Sequence, residues 1–287
     1  MTEENNNQEE LSIKEQERIE LRQSVRHFYD LQKLRIQSGN RTGTETVILS
    51  EEHKRSITIQ SFLLDELEKQ ALSNIRRLLK SWPIYDEWLK KQKGVGPTMS
   101  GVLLAEIDIT RCDTPSALWA YCGLAVKDGK AARRTKGEKC GFNPWLKSKV
   151  LKVLGDCMIK SKSSWRDHYD NYKNRKENQL VDVCMACNGT GKVSKTDDDD
   201  DTNGKEKNGK GKKVCSNCGG TGGPAPWGAS KMHRHNAAMR KMVKMFLLEL
   251  WTTWRELEGL EVVPPYSEAM LGRQHGDHGG ANVEAQI

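Results

Sequence analysis

No stretch of the chain approaches the run of about 20 apolar residues that a membrane-spanning helix requires. The opening MTEENNNQEE has neither a basic n-region nor an apolar h-region, so no secretory leader is read there and the expected location is cytoplasmic, in association with nucleic acid. Apolar residues are scarce as well, at 36% with 6% aromatic and a mean hydropathy of −0.74. This excludes a thick hydrophobic core and favours solvent-facing helices around a modest one. The roughly 90 residues before Lys93 read as helices with no β-rich core. The cysteines are not spread as a disulfide framework either, because four of the eight are packed into two C-x-x-C pairs.

Charge, by contrast, is plentiful. Lys and Arg number 46 against 39 Asp and Glu, a formal +7, and it is unevenly placed. Met1 to Glu20 is acid-rich, whereas Lys127 to Lys152 holds nine basic residues and two acids. Such local density points to a polyanionic partner.

Helical periodicity organises most of the chain. Leu11 to Gln37 carries Leu21, Val25, Phe28 and Leu31 on one side, with Ser38-Gly39-Asn40 as its expected stop. Ser50-Glu51-Glu52 opens a second helix whose apolar steps at Leu64, Leu67, Ala71, Ile75 and Leu78 end at Trp82-Pro83. Together these predict a helical hairpin or coiled-coil arm, with plain core helices as the alternative. Thr114-Pro115 and Asn143-Pro144 each pair an N-cap with proline at the first helical position. A final helix from Ser230 carries Met239, Met242, Val243, Phe246, Leu247, Leu250 and Trp254 at amphipathic spacing, with Lys231, Arg234, Lys241 and Lys244 mainly off that stripe. Those four are read first as a solvated face. The predicted fold is mainly α, a long helical arm and a compact helical domain with a small zinc-ribbon or knuckle insertion. The expected divisions are a disordered tail 1–10, arm 11–82, helix-hairpin-helix domain 83–180, knuckle 181–228 with a disordered loop 194–213, closing helix 229–262 and flexible tail 263–287.

Lys93-Gly94-Val95-Gly96-Pro97-Thr98, followed by the apolar run Met99 to Ile107, reads as a helix-hairpin-helix. Ile84 to Gln92 would form the first helix, the glycines a turn that side chains would block, and Pro97 the start of the second. Free amides in such a turn, with the positive end of the second helix, make a cradle for a phosphate oxygen without reading a base. Because G-x-G is weak alone, an ordinary interhelical turn is the competing reading. The expected DNA contacts are Lys91, Lys93, Gly94, Gly96 and Thr98 in the turn and Lys127, Lys130, Arg133, Arg134 and Lys136 in the basic loop that follows.

Cys184-x-x-Cys187-x-Gly189-x-Gly191 recurs as Cys215-x-x-Cys218-x-Gly220-x-Gly222, the same pattern twice in 39 residues. Two such turns complete an all-thiolate tetrahedron of the closed, structural kind, so one Zn2+ is predicted, with no metal chemistry. Asp197 to Asp201 and the lysines from Lys205 to Lys213 lie between the pairs with hardly any apolar residue. Gly204-x-x-x-x-Gly209-Lys210 there imitates a phosphate-binding loop, but Gly211 replaces the required hydroxyl residue. Cys112, Cys122, Cys140 and Cys157 read as small apolar residues, with Cys140 the candidate for exposure. His275 and His278 near the end are weak metal candidates.

Gly94 to Val126, GVGPTMSGVLLAEIDITRCDTPSALWAYCGLAV, resembles the C-terminal domain of DEDD-type insertion-sequence transposases, the group that includes the Piv-type DNA invertases. The resemblance rests on the hairpin, Asp108-Ile109, the Thr114-Pro115-Ser116 helix start and Leu118-x-x-Tyr121-x-Gly123-Leu124, and it continues more loosely through the basic loop, the helix from Trp145 and the closing helix. The repeats of the knuckle are similar to those in the cysteine-rich region of DnaJ chaperones. The resemblance implies DNA binding, a role in transposition or recombination, and residence on a mobile element or phage.

Two departures bear on activity. The residues before the hairpin read as helices, similar to the family's coiled-coil arm rather than its RuvC-like nuclease fold. The loop after Gly123-Leu124 runs Ala125-Val126-Lys127-Asp128-Gly129-Lys130 and lacks the family's nucleophilic serine. The expectation is therefore a DNA-binding protein without catalytic activity of its own, with bent or branched DNA as a candidate target. The alternative is an active transposase or recombinase, alone or with a separate nuclease subunit, with Glu106, Asp108 and Asp128 as candidate acids; Glu106 and Asp108 are read as surface or capping residues. Further expected partners are RNA, since relatives in that group use a guide RNA, and a second copy of the chain through the arm.

Overall fold

The structure, a computed structural model, describes residues 2–42, 49–127, 130–194 and 212–264, with the side chains of residues 2–12, 42, 127 and 130 outside that description. Residues 195–211 between the cysteine pairs, His275 and His278, and Asp128 lie outside the described residues, whereas Ser194, Lys212 and Lys213, expected in the disordered loop, lie in short strands. The chain divides into two compact units, one from Met1–Cys157 and Leu247–Ile287, the other Met158–Phe246. It is mainly helical, and among the described residues no helix is long and apolar enough to cross a membrane.

In the first unit, α1 (Thr2–Thr42) and α2 (Glu51–Leu79) run antiparallel, as cross-helix bonds from Asn74 to Ser24 and from Gln32 to Glu68 show. Leu21, Val25, Phe28 and Leu31 of α1 are buried, as are Ala71, Ile75 and Leu79 of α2. Ser50 caps α2 by accepting from the His53 amide. Two local expectations fail. Helix α1 runs through Ser38-Gly39-Asn40 to Thr42, because one interior glycine costs only about 1 kcal/mol against alanine. Leu67 is exposed, and Glu68 is buried in its place, bonded by Arg35 at 2.6 Å and Gln32 at 3.1 Å.

Helix α3 (Pro83–Glu87) and a 3-10 turn (Leu89–Lys91) occupy the stretch expected as one helix. Trp88 breaks it: its backbone leaves helical geometry, its ring is buried, and its indole N–H reaches Glu249 at 3.1 Å. Helix α4 (Pro97–Glu106) is apolar on every side and buried from Met99 onward, packing on both α1 and α2. A 3-10 turn (Ile109–Arg111) capped by Asp108 leads to α5 (Pro115–Tyr121), which Thr114 caps. Strands β1 (Val126–Lys127) and β2 (Lys130–Ala131) form a short antiparallel ladder. Asn143 then caps α6 (Pro144–Ser148), and the helix continues through a π-helical stretch, Lys149–Leu154, into α7 (Gly155–Lys160).

The second unit contains α8 (Arg166–Asn178) and two more short ladders, β3 (Leu180–Val181) with β6 (Ala225–Pro226), and β4 (Lys192–Ser194) with β5 (Lys212–Val214). Helix α9 (Lys231–Leu257) supplies residues to both units, and its predicted apolar stripe is buried throughout. Within the second unit Trp165 meets Phe246 edge-on at 5.5 Å and the Tyr169 hydroxyl meets His235 Nδ1 at 2.7 Å.

Candidate nucleic-acid interface and metal centre

Between the 3-10 turn and α4 the chain reverses over Lys93 to Gly96. Gly94 has φ +92°, a conformation that L side chains rarely adopt, whereas Gly96 is extended at φ −88° and a β-carbon there would meet nothing within 4 Å. The Val95 amide bonds back to Gln92 and Ser100 to Gly96, but among the described residues the amides of Gly94 and Gly96 find no acceptor. Lys91, Lys93 and Gly96 are exposed; Gly94 and Thr98 are half-buried. The corner is thus open to solvent. Acids flank it on one side, with Asp86 at 3.1 Å from Lys90 and Glu87 at 3.6 Å from Lys91. Surface pairs of this kind contribute about 1 kcal/mol or less, so a phosphate can displace them.

Of the basic-loop residues, Arg133, Arg134 and Lys136 are exposed, and among the described residues none has an acidic partner; the side chains of Lys127 and Lys130 lie outside the description. The Lys147 ammonium bonds the Ala132 carbonyl and fixes the start of the exposed stretch. The structure therefore gathers the five turn residues into one corner and Arg133, Arg134 and Lys136 into one segment, with no hydrogen bond or ion pair between the two groups among the described residues.

The candidate acids are committed elsewhere. Glu106 is buried, contrary to its reading as a surface or capping residue: Arg26 reaches one carboxylate oxygen at 2.7 Å with Arg22 at 3.7 Å, and Asn143 reaches the other at 2.7 Å. Asp108 does cap, accepting from the Thr110 amide, and it pairs with Arg18 at 2.6 Å. Burial opposes ionisation of Asp108, but bonds from Thr110 and Arg18 hold its carboxyl below the usual range. Arg18, Arg22 and Arg26 are thus a ladder at four-residue spacing along α1 that holds the end of α4. The spacing was visible in the chain, but its acidic partners are distant in sequence and were not.

A second cationic group surrounds Tyr29. The Lys149 ammonium lies 3.0 Å from the Tyr29 ring centroid and 5.2 Å from that of Trp145, and the Arg26 guanidinium lies 3.5 Å from the Trp145 centroid. Burial, aided by the Arg26 charge, pushes Lys149 down to about 8, and burial pushes Tyr29 up to about 12.

In the second unit the sulfurs of Cys184, Cys187, Cys215 and Cys218 all lie within 4.8 Å of one another, and among the described residues this is the group of side chains that could hold a metal ion. The two halves share the bonds that close their turns. Gly191 N–H donates to Cys187 Sγ at 3.2 Å and Gly222 N–H to Cys218 Sγ at 3.3 Å; Thr190 and Thr221 each return a hydroxyl to the carbonyl three residues back. The halves also interlock, with Cys184 N–H on Gly222 and Cys215 N–H on Gly191. A β-carbon on Gly191 would sit 2.1 Å from the Gly220 carbonyl oxygen, and one on Gly222 would sit 2.2 Å from that of Gly189, so the glycines of the repeat are required by this close crossing.

Sγ–Sγ distances are 3.8 Å for Cys184–Cys215 and 3.7 Å for Cys187–Cys218. A tetrahedral thiolate site with metal–sulfur bonds of about 2.3 Å has edges of about 3.8 Å, so these two edges match that ion size. Burial resists ionisation of Cys184, but hydrogen bonds from Asn217 and from the Ala186 and Cys187 amides outweigh it and bring the thiol to about 6. Asn217 also accepts from Arg234 at 3.1 Å, joining the cage to α9. Neither Asn217 nor Arg234 carried a sequence signal for this role.

Residues 86–170 match the family described as Transposase IS116/IS110/IS902 family. The matched segment holds the open corner, the basic loop and the helices through α6 and α7, and stops before the cysteine cage. It relates this part of the chain to transposases. No curated protein and no solved structure matches the chain.

Proposed function

We propose that this is a DNA-binding protein of a mobile element or phage, related to transposases, that grips the phosphate backbone through a helix-hairpin-helix and the adjacent basic loop and has no catalytic activity of its own. The observation that carries this reading is the solvent-open glycine corner with two unbonded amides at the start of α4, inside the transposase-matching segment. Amides and helix polarity there attract a phosphate oxygen, Lys93 and Lys91 add charge, and Lys127, Lys130, Arg133, Arg134 and Lys136 extend the contact along the strand. Contacts of this kind position a polymer without reading its bases, so discrimination would come from bends or junctions. Two features support the absence of catalysis: the loop after Leu124 has no serine, and Glu106 and Asp108 are held in arginine pairs. The cysteine cage would hold one Zn2+ as a closed structural site, with four protein sulfurs and no coordination position left for water.

Gly96→Ala tests the grip cleanly, because an added methyl meets nothing in the protein but intrudes on a bound phosphate. Weaker binding to a mixed-sequence DNA duplex with an unchanged melting temperature is expected; unchanged affinity removes the corner as the contact. Magnesium-dependent cleavage of a branched duplex, abolished by Asp128→Asn, would instead establish the recombinase alternative.

A further inference from the structure

Of the four basic residues of α9 expected on a solvated face, Lys231 is exposed as expected, whereas Arg234 is buried and Lys241 and Lys244 are half-buried. Arg240 is half-buried too, and from Lys231 to Leu248 the helix contains no acid at all. Arg175 of α8 is near enough to Lys241 for its charge to act on it, and Arg240 and Lys241 act in the same way on Lys244. Burial first, and these like charges second, push Lys241 and Lys244 toward loss of their protons, and Arg240 is driven the same way by burial. Among the described residues no carboxylate pairs with Arg175, Arg240 or Lys241. The Nε of Arg240 is buried with no hydrogen-bond partner.

Aromatic rings line the same unit's cationic side chains. Arg175 lies 5.0 Å from the Tyr172 ring centroid, and Lys176 lies 5.8 Å from that ring and 4.4 Å from Trp227. Desolvated cations facing one another oppose folding, and a buried guanidinium nitrogen without an acceptor adds to the penalty. A phosphodiester relieves both, supplying counter-charge and acceptor oxygens that match a guanidinium.

We propose that α8 and the first half of α9 form a second nucleic-acid backbone contact, in which Arg175, Arg240 and Lys241 take phosphates beside Tyr172. Positions 240, 241 and 244 span about 6 Å along the helix axis, and Arg175 adds a fourth point from the neighbouring helix. Points spread over that length suit neighbouring phosphates of one strand better than a single free anion. The ligand class is that of the proposed function, but the residues are separate from the glycine corner and lie in the other unit, so the two contacts can fail independently.

The test uses the full chain, a mixed-sequence DNA duplex and an RNA hairpin, each titrated over a range of salt. Arg175→Gln with Lys241→Gln should weaken binding to at least one polymer and lower the slope of log affinity against log salt by about 2, near 0.9 for each lost phosphate contact on duplex DNA. The free protein should melt at the same or a higher temperature, because a repulsion has been removed. Arg175 is exposed, so Arg175→Gln alone probes the contact without risk to the core and should lower the slope by about 1. Unchanged slopes and affinities on both polymers overturn the proposal. If Gly96→Ala weakens binding and the double variant does not, the corner stands and this face falls; the reverse result sustains this face and removes the corner. A wild-type chain that binds neither polymer refutes both.

Discussion

Replacing Glu106 by glutamine separates a structural carboxylate from a catalytic one. In the folded chain one carboxylate oxygen receives Arg26 at 2.7 Å and the other receives Asn143 at 2.7 Å, while the Glu106 carbonyl accepts from the Tyr121 hydroxyl at 2.9 Å. Asn143 cannot turn away, since its side-chain oxygen caps α6 by accepting from Leu146 at 3.0 Å. Glutamine keeps one acceptor and turns an NH2 group toward the other donor, so one charge-assisted bond is lost, at about 1.5–3 kcal/mol, and two donors face each other. The Arg26 side chain is 39% exposed and water can recover part of that loss, so about 2 kcal/mol is expected for Glu106→Gln. Urea unfolding should show a lower midpoint with an unchanged slope. A catalytic acid held among like charges behaves oppositely, since removing it leaves stability equal or raised while abolishing turnover. An unchanged midpoint would refute the structural assignment.

Other perturbations have equally definite outcomes. Purified protein should carry one zinc per chain, and chelation or Cys215→Ser should release it and lower the melting temperature; a full-length chain whose unfolding ignores chelator would dismiss the cage as a metal site. Asn217→Ala, which removes a donor to Cys184 Sγ, should reduce zinc affinity by about 10- to 100-fold while the ion stays bound at saturation. Lys149 has a folded pKa of about 8, below that of an unfolded lysine, so the folded state gives up its proton first and stability should rise as pH climbs from about 8 toward 10. With solvent screening allowed for, the rise is on the order of 1 kcal/mol, and Lys149→Met should lack it in pH-dependent unfolding. Cys157 is exposed and should react readily with a thiol reagent, whereas Cys112, pushed up to about 11 by burial, and fully buried Cys122 should stay silent until the chain unfolds; equal labelling of all three would contradict the packing.

What could be read from the chain was local. Ser50, Thr114 and Asn143 each cap the helix they announce, because a short polar side chain before an apolar run satisfies amides within three residues. The cysteine cage was legible because its repeat encodes both the ligands and the glycines that let the two halves cross. Partners distant in sequence were not legible. Glu106 shows nothing in its neighbourhood to say that arginines some 80 residues away will bury and neutralise it. The same limit hid the bond to Glu249 made by Trp88, where the helix expected over residues 84–92 is interrupted, and the influence of Arg175 on Lys241. The π-helical stretch Lys149–Leu154 is likewise set by packing, since its sequence KVLKVL would suit an ordinary α-helix.

The central claim, a grip on phosphates without base readout, is tested most directly by the salt dependence of equilibrium binding to several unrelated DNA duplexes. The account predicts a linear, steep fall of log affinity with log salt whose slope is shared by all the duplexes and is reduced in Gly96→Ala. Binding that ignores salt, or that selects one duplex by its base sequence, would contradict it.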